Sequence, residues 1–477
     1  MMKTFYSKPG WLVVAATLII TVSACTKNDI DSIFEQPVAS PEQIHMLSVS
    51  AAKGDVATRA LNLSGSTLNA AWAAGEQVTV YNVTKDADLG GYLEAQAAGS
   101  KTTLTGALTG IIENGDELKL KFLSPNYTSQ NGTLEYIAAH CDYAEATVTV
   151  TSTSGTITTT DANFVNQQAI VMFTLKNSGG TAISANAFCV LVDGNTYSVM
   201  PAPVASEIYV AIPGFSGKKV ELFAKVDTDW YSYEKSGITF TNGQYYTIAV
   251  KMAQTGILPG KFSIDGTTQV RFSQGNLKYD GSNWSFHANQ YDMVIKSSGT
   301  QQSSYPMDLF CWGNVNNPDY KGDTYITGYV NLSGDTDWGS NMGAGWYTLS
   351  KNQWSYLFDN HTYGAATVKG VHGVIVLPDG YAGTAINSTH SGWNDNTIAD
   401  DSAWTPYETS GAVFLPAAGF SIGYVYDVGA KGYYWSSTAY DSEHSWQVGI
   451  TSSVVSYTGY NSTRNVGRSV RLVRNVN

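Results

Sequence analysis

The chain has 477 residues, of which 14% are charged and 43% are hydrophobic, and its formal net charge at pH 7 is −12. This acidic balance excludes a nucleic-acid binder at the level of the whole chain, because such proteins need a basic surface that displaces phosphate counterions. Abundant Gly, Thr, Ser and Tyr, with few long 3.6-residue patterns, predict a mainly β protein rather than a helical bundle. The length suits about three domains of roughly 150 residues each.

The N-terminus has the pattern of an export signal. Two lysines precede an apolar run at residues 11–22, which is too short to cross a bilayer comfortably. The run ends in Val-Ser-Ala-Cys, which resembles a bacterial lipobox and makes Cys25 the lipid-attachment site. We therefore predict a lipoprotein signal peptide at residues 1–24 and an outer-membrane lipoprotein precursor that carries a palmitate-type lipid anchor. An ordinary secretory signal with an incidental cysteine is the alternative.

The segment that follows, residues 25–59, is predicted to be a polar tether and a removable pro-segment. It contains a strand-like stretch at residues 46–51 and ends in a loop of small residues with one arginine, Arg59. Exposed loops of this composition are preferred sites of proteolysis, so this is the kind of loop that a trypsin-like protease reaches. The alternative is that Arg59 is an ordinary solvated loop residue.

Several short sequence features follow one another in a definite order up to residue 252. After the lipobox come the loop at Arg59, a strand entry from Trp72 to Val78, many short strands, and a turn with an alternating strand at 240–250. In this order the features resemble the fimbrillin family of Bacteroidales pilins. The resemblance implies two transthyretin-like β-sandwich domains, which fall at residues 60–158 and 159–252.

The resemblance also implies how such a chain assembles. In that family an Arg-directed protease removes the first strand of a sandwich, which implies a cut between Arg59 and Ala60 in this chain. The loss of the strand leaves unpaired backbone groups and an apolar groove until another strand fills them. Donor-strand complementation of pilins is one form of β-strand addition. Other fimbrial subunits are therefore the implied partners.

A composition change marks residues 253–260 as a linker. Three of the 12 tryptophans, Trp11, Trp72 and Trp230, precede it, so the other nine lie in residues 261–477. This asymmetry predicts a separate fold for that module.

The pattern predicts one helix in the module, at residues 351–358. Ser350 is its expected N-cap, and Trp354 and Phe358 lie on one face at a spacing of four residues.

The module resembles the C-type-lectin-fold modules of Bacteroidales surface proteins, including variable binding proteins diversified by retroelements. The resemblance rests on three sequence phrases, residues 414–420, 432–437 and 467–474. It implies an α+β module in which the matched strand pair, 434–437 and 469–473, brackets a ligand-binding surface.

Residues 438–466 occupy that bracket and combine rigid aromatic with adaptable polar side chains, as antibody paratopes do. Val448 and Ile450 alternate with Gln447, Gly449 and Thr451, so the last three are expected to face away from the core. Exposed tyrosines suit a glycan and a protein ligand equally, and plain solvated loop composition is the alternative. The predicted ligand-binding residues are Tyr440, Asp441, Glu443, His444, Gln447, Tyr457, Tyr460 and Asn461.

No catalytic pattern is found. Enzymes of the same fold use a cysteine pair, but this module has only Cys311, and no G-x-S-x-G phrase lies near its histidines. Residues 393–395 resemble a tripeptide of calcium-binding lectins, whose Asn and Asp oxygens suit a hard cation. The Pro-containing loop that usually accompanies the tripeptide is not found at the usual spacing. The sequence does not decide whether Cys141 and Cys189 form a disulfide, because it does not give the geometry that the bond needs. We expect a non-enzyme without cofactor or metal.

These features together predict a fimbrial tip adhesin. The pilin part runs into the C-terminal module instead of ending in a free strand, so the chain is expected to accept a donor strand and not to supply one. The alternative is a lipid-anchored surface receptor that does not polymerise and binds its ligand through the lectin-like module.

Overall fold

The computed structural model describes residues 44–52, 71–301, 305–313 and 336–476, together with the backbone of 62–64 and 67–69. The predicted signal peptide and Cys25, and the predicted cleavage site at Arg59 and Ala60, lie outside the described residues. The described chain is mainly β, which confirms the predicted fold class. Its transthyretin-like and C-type-lectin components stay predictions.

The N-terminal part of the chain forms twelve described strands and one helix. They are β1 Ile44–Ala52, β2 Asn62–Ser64, β3 Thr67–Asn69, β4 Gln77–Asn82, β5 Ala87–Ala95, β6 Lys101–Thr109, β7 Glu117–Phe122, β8 Ser129–Gln130, α1 Leu134–His140, β9 Ala144–Ser152, β10 Ile157–Thr159, β11 Ala162–Asn163 and β12 Val165–Asn166.

The first sheet is built on strands with clear two-residue alternation. Its order is β10-β1-β6-β5-β4-β7-β9-β12, and β10 also pairs with β9, which closes the sheet on itself. Every second residue of β4, and nearly every second residue of β6 and β9, is buried, as a sheet with one face on a core requires. Trp72 fills the centre and packs edge-on against Phe122 and Phe164, with ring centroids 5.6 and 5.0 Å away.

Seven strands follow. They are β13 Ala169–Asn177, β14 Ala187–Val192, β15 Asn195–Val199, β16 Glu207–Ile212, β17 Phe215–Val226, β18 Asp229–Phe240 and β19 Tyr245–Gln254. With β8 they form the second sheet, in the order β16-β13-β19-β18-β17-β14-β15-β8.

The change from the first to the second sheet differs from the boundary predicted between residues 158 and 159. That point lies inside β10, and the first sheet continues to β12 at residue 166. Conversely, β8 pairs with β15, and Ile137 of α1 packs among residues of the second sheet. The chain therefore crosses to the second sheet and returns before it leaves the first.

The rest of the chain, residues 261–476, is called the C-terminal module below. Its elements are β20 Phe262–Ser263, β21 Gln269–Phe272, β22 Leu277–Tyr279, β23 Trp284–Phe286, a 3₁₀ helix Trp338–Met342, β24 Trp346–Thr348, α2 Lys351–Asn360, β25 Tyr363–Val368, β26 Val371–Val376, β27 Thr397–Ile398, α3 Asp401–Thr409, β28 Val413–Pro416, β29 Phe420–Ile422, β30 Tyr424–Tyr426, β31 Gly432–Ala439, β32 His444–Ile450, β33 Val455–Ser456, β34 Asn461–Thr463 and β35 Leu472–Asn475.

The module consists of small sheets around aromatic cores. Its larger sheets have the orders β20-β21-β35-β24 and β27-β25-β26-β28, and a third contains β31-β32-β33 with β34 on β32. Strands β22 and β23, and β29 and β30, form two hairpins. Five of its tryptophans are almost fully buried, Trp312, Trp338, Trp354, Trp404 and Trp435, so bulky side chains fill a core that regular elements cover only in part.

Helix α2 confirms the predicted helix and its cap. The Ser350 side chain accepts a hydrogen bond from the Gln353 N–H at 3.3 Å, and Gln353 Oε1 accepts one from the Ser350 N–H at 2.9 Å. This reciprocal capping box satisfies two backbone donors that the first turn leaves unpaired. Trp354 and Phe358 are buried on one face.

Substitution Ser350→Ala is expected to destabilise the module by about 1 kcal/mol, because the cap is lost while the buried face is unchanged. Chemical denaturation monitored by tryptophan fluorescence measures this difference. Asn352→Ala, at an exposed position of the same helix, is the control and should cost nothing measurable.

The second sheet and the C-terminal module share one hydrophobic core. Cys189, Phe223 and Trp230 of the second sheet pack in the same cluster as Leu258 and residues of α2, β26 and β28. Leu258 is fully buried, so the predicted linker at 253–260 is a packed connection rather than a flexible spacer.

Ion pairs cross this junction. Glu221 of β17 accepts hydrogen bonds from Arg271 at 2.9 Å and from Lys261 at 2.6 Å. Burial alone would raise the pKa of Glu221, but the two cations outweigh it and hold the pKa below its ordinary value. Lys225 also pairs with Glu408 of α3 at 2.5 Å, and both side chains are buried.

Cys141, Cys189 and Cys311 are buried, and no disulfide is formed among the described residues. Cys141 and Cys189 belong to different core clusters, so the bridge that the sequence left open is not formed. Among the described residues, no helix has the length and apolar character needed to cross a membrane.

Candidate ligand-binding surface

The predicted binding residues begin at the turn between β31 and β32. The Asp441 carboxylate organises this turn, since it accepts hydrogen bonds from the N–H groups of Glu443 at 2.7 Å and His444 at 2.6 Å and from His444 Nδ1 at 2.9 Å. The Glu443 N–H and the other donors hold the pKa of Asp441 below its ordinary value. Asp441 therefore shapes the turn from within.

A buried arginine supports the same turn from below. The Arg464 guanidinium donates to the carbonyl oxygens of Asp441 and His444, and the backbone N–H of Arg464 donates to the Glu443 carbonyl. Its guanidinium carbon lies 4.4 Å from the centre of the Trp312 ring, a cation–π contact. The residue is 2% exposed, so the turn rests on the module core.

Tyr440 is the most exposed aromatic residue of the turn, with 51% of its surface accessible. Its ring packs edge-on against Trp446 at 4.9 Å, and Lys351 Nζ lies 5.1 Å from the centre of the Trp446 ring. The structure thus brings together Tyr440, Asp441, Glu443 and His444, with Trp446 and Lys351 at their side.

Gln447 is buried, so the expectation that this face of β32 is exposed is wrong at this residue. Its side chain is 3% exposed, because the segment at Tyr460 and Asn461 covers that face of β32. The Gln447 N–H donates to the Tyr460 carbonyl at 3.0 Å, and Nε2 donates to the Asn461 carbonyl at 3.4 Å. Gly449 is buried on the same face, against the Tyr460 ring.

Tyr457 and Asn461 are half-buried and are not gathered at the turn by any direct contact with Tyr440. The Tyr457 ring stacks on Phe358 at 5.4 Å, and its hydroxyl donates to Asp359 at 2.7 Å. Burial and the Asp359 contact raise the pKa of Tyr457 to about 12. Tyr457 therefore ties its loop to α2, and Asn461 pairs with Trp446 through the backbone.

Tyr460 belongs to a row of aromatic side chains that the sequence analysis did not recognise. Phe420 stacks on Tyr426 at 5.5 Å and meets Tyr433 edge-on at 5.7 Å, and Tyr433 stacks with Tyr460 at 6.2 Å. These four residues are called the aromatic row below. Tyr424 stands beside it on strand β30. The alternation Tyr424-Val425-Tyr426, with Val425 buried, was the available signal.

Arg468 lies beneath the aromatic row. Its guanidinium carbon is 4.3 Å from the Tyr433 ring centre and 5.7 Å from that of Phe420. Nη2 donates to Ser462 at 2.7 Å, whereas Nε and Nη1 have no hydrogen-bond partner within the described residues. Burial lowers the pKa of Arg468 to about 10, so it stays a cation at neutral pH.

Asp395, in the tripeptide considered for calcium, accepts hydrogen bonds from Ser391 N–H at 2.6 Å, Ser391 Oγ at 2.8 Å and Gly392 N–H at 3.2 Å. It closes a local turn. Over the part of the chain that is described, no group of three or more His, Cys, Asp or Glu side chains is placed to hold a metal ion.

Sequence comparison finds a family model that matches the part of the chain containing most of this surface. Residues 384–473 match the family described as Domain of unknown function (DUF8237). The match includes α3, the aromatic row and the turn at Asp441. No curated protein matches the chain.

Structural comparison finds proteins whose descriptions refer to cell adhesion, fimbriae or pili. A candidate cell adhesion protein of Bacteroides uniformis is 12% identical, with 44% of this chain and 96% of that chain covered and a TM-score of 0.26. A fimbrial assembly protein of Parabacteroides distasonis is also 12% identical, with coverages of 49% and 97% and a TM-score of 0.26. The shaft pilin spaA of Lactobacillus rhamnosus is 11% identical, with coverages of 46% and 100% and a TM-score of 0.22. Scores this low leave the function to be argued from the chain itself.

Proposed function

We propose that this chain is a fimbrial tip subunit that accepts a strand from the next pilin and binds an extracellular ligand through its C-terminal module. The observation that carries the proposal is the position of strand β1. This strand completes the first sheet and ends seven residues before Arg59, the residue expected to be cut.

Strand β1 is embedded on both sides. It aligns antiparallel with β6 along its whole length, from Ile44 opposite Thr109 to Ala52 opposite Lys101, and runs parallel to β10 and β11 on its other side. Leu47, Val49 and Ala51 point into the core and are almost fully buried. Removal of β1 would therefore expose backbone groups of three strands and an apolar groove, which a strand of similar pattern would fill.

Two strands, β35 and β19, are each paired on both sides, which supports a role as acceptor rather than donation of these strands. Strand β35 is hydrogen-bonded to β21 on one side and to β24 on the other. The last strand of the second sheet, β19, is also paired on both sides, with β13 and β18. Neither strand can be donated unless its own sheet opens. A tip subunit does not need a free strand to donate, whereas a shaft subunit does.

The proposed life cycle begins at the outer membrane. The precursor is exported, lipidated at Cys25 and exposed at the cell surface, where cleavage after Arg59 releases β1. In the alternative function the lipid-anchored chain stays intact and serves as a receptor, with the two sheets as a spacer.

Substitution Arg59→Ala is expected to keep the chain at its precursor length and to prevent its incorporation into fibres, because β1 then stays in its groove. N-terminal sequencing of the surface form and immunogold labelling of sheared fibres measure the two effects. Lys53→Ala, in the same loop, is the control and should leave both unchanged.

In the unaltered protein we expect a mature chain that begins at Ala60 and gold label confined to fibre ends. Label repeated along the shaft would contradict the tip position. A functional surface form that retains lipidated Cys25 would contradict polymer assembly and support the anchored receptor.

A further inference from the structure

The aromatic row, with Tyr424 beside it, forms an exposed aromatic surface on the described part of the C-terminal module. Tyr424, Tyr426 and Tyr460 are 48%, 43% and 39% exposed, whereas Tyr433 is buried between them and the core. Exposed tyrosine rings combine an apolar face with a polar hydroxyl, a combination that is enriched at binding interfaces. Here the rings come from two hairpins, β29–β30 and β31–β32, and from the segment before β34.

The row is too small for a stable protein partner. An aromatic side chain has about 150–250 Å² of surface. At the exposed fractions of Tyr424, Tyr426 and Tyr460, the three side chains together leave roughly 250 Å² accessible. A specific protein interface takes about 800 Å² on each partner. An area of this size instead matches one or two sugar units, whose ring faces present C–H groups to an aromatic ring.

Polar groups stand at the edge of the same rings. Lys431 lies next to the row, because its carbonyl accepts a hydrogen bond from the Gly419 N–H at 2.8 Å, beside Phe420, and it stands two residues before Tyr433 in the sequence. Lys431 also pairs with Asp427 at 3.0 Å and keeps about half of its side chain exposed. Ring faces bordered by hydroxyl, ammonium and carboxylate groups suit a polyhydroxylated ligand with a flat apolar face.

The charge beneath the row is positive and uncompensated. Arg468 is nine-tenths buried or more, two of its guanidinium nitrogens have no hydrogen-bond partner in the described chain, and no described carboxylate pairs with it. A buried cation ordinarily has an anionic partner, and its field is weakly screened in such a place. An anion near the outer face of the rings would supply part of that missing partner.

We propose that the aromatic row binds an acidic saccharide, with sugar rings stacked on Tyr426 and Tyr460 and a carboxylate or sulfate group facing Lys431 above Arg468. This deepens the proposed function, since it rests on the C-terminal module being the ligand-binding part of the subunit. It moves the binding centre from the turn at Tyr440 towards β29 and β30.

Isothermal titration of the full chain with four probes tests the proposal. Oligogalacturonate carries sugar carboxylates, sulfated dextran fragments carry sulfates, neutral dextran lacks charge, and polyglutamate carries charge without sugar rings. We expect binding to at least one acidic saccharide, at least tenfold weaker binding to neutral dextran, and none to polyglutamate. The two acidic probes distinguish which anion is preferred.

Matched variants assign the binding to these residues. Tyr426→Ala and Tyr460→Ala should each weaken binding at least fivefold, whereas Tyr92→Ala, an equally exposed tyrosine of β5, should not change it. Lys431→Gln should weaken binding at least threefold and reduce its salt dependence. Lys218→Gln, whose surface pair with Asp193 has similar exposure, is its control.

Equal binding to polyglutamate, binding to neither acidic saccharide, or unchanged affinity in both tyrosine variants would overturn the proposal. Circular dichroism shows whether each variant is folded. A negative result here leaves the assembly test at Arg59 unaffected, so failure of the ligand class and failure of the fimbrial role are distinguishable.

Discussion

A chain that has been cut after Arg59 and freed of residues 44–52 is expected to lose most of the stability of its first sheet, and to regain it when a peptide of residues 44–52 is added. Leu47 and Val49 each contribute about 1.5–3 kcal/mol by burial. The paired backbone groups of β6, β10 and β11 add to this when they lose their partner. The total is comparable with the 5–15 kcal/mol that holds a typical domain together. Thermal unfolding followed by circular dichroism, with and without peptide, measures the effect.

Peptide variants separate specific strand addition from general stickiness. A peptide with Leu47→Asp should fail to restore the transition, because it would place a charge in the apolar groove. A peptide with Ser50→Asp should restore it, since Ser50 is exposed on the other face of β1. Rescue by both peptides, or a cut chain as stable as the intact one, would contradict the role of β1 as a replaceable strand.

The regular parts of the fold could be read from the sequence because local patterns determine them. Helix α2 was predicted with its cap, since Ser350 and the spacing of Trp354 and Phe358 act within one element. The presence of many short strands in the first part of the chain was likewise predicted. Their assignment to sheets was not, because β8 joins β15 through a contact between residues far apart in the chain.

The binding surface was predicted only in part, for a similar reason. Local sequence identified the turn with Tyr440 and Asp441. Alternation failed at Gln447 because β32 is covered on both faces, and a two-residue period cannot reveal a second covering layer. The aromatic row was missed because Phe420 and Tyr460 are forty residues apart and meet only through Tyr433.

The buried pair between Lys225 and Glu408 provides the strongest test that the second sheet and the C-terminal module are one structural unit. Glu408 also accepts a hydrogen bond from Gln290 Nε2 at 3.0 Å, and Gln290 Oε1 accepts one from buried Arg471 at 2.9 Å. The pair thus connects β17 to the centre of the module through a continuous buried network. Such a network is sensitive to the loss of any one member.

Substitution Glu408→Ala is expected to destabilise the protein by about 3–5 kcal/mol, because it leaves the Lys225 ammonium buried without its partner. Replacing both members by apolar residues, Lys225→Met with Glu408→Leu, should recover most of that loss, since no unpaired charge remains. The control is Asp193→Ala, which breaks the exposed pair with Lys218 and should cost about 0–1 kcal/mol. Chemical denaturation, with tryptophan fluorescence for the module and far-ultraviolet circular dichroism for the sheets, measures each difference. If Glu408→Ala costs no more than Asp193→Ala, or if the two signals unfold separately in the unaltered chain, the sheet and the module are independent and a ligand held by the module would not be rigidly connected to the fibre.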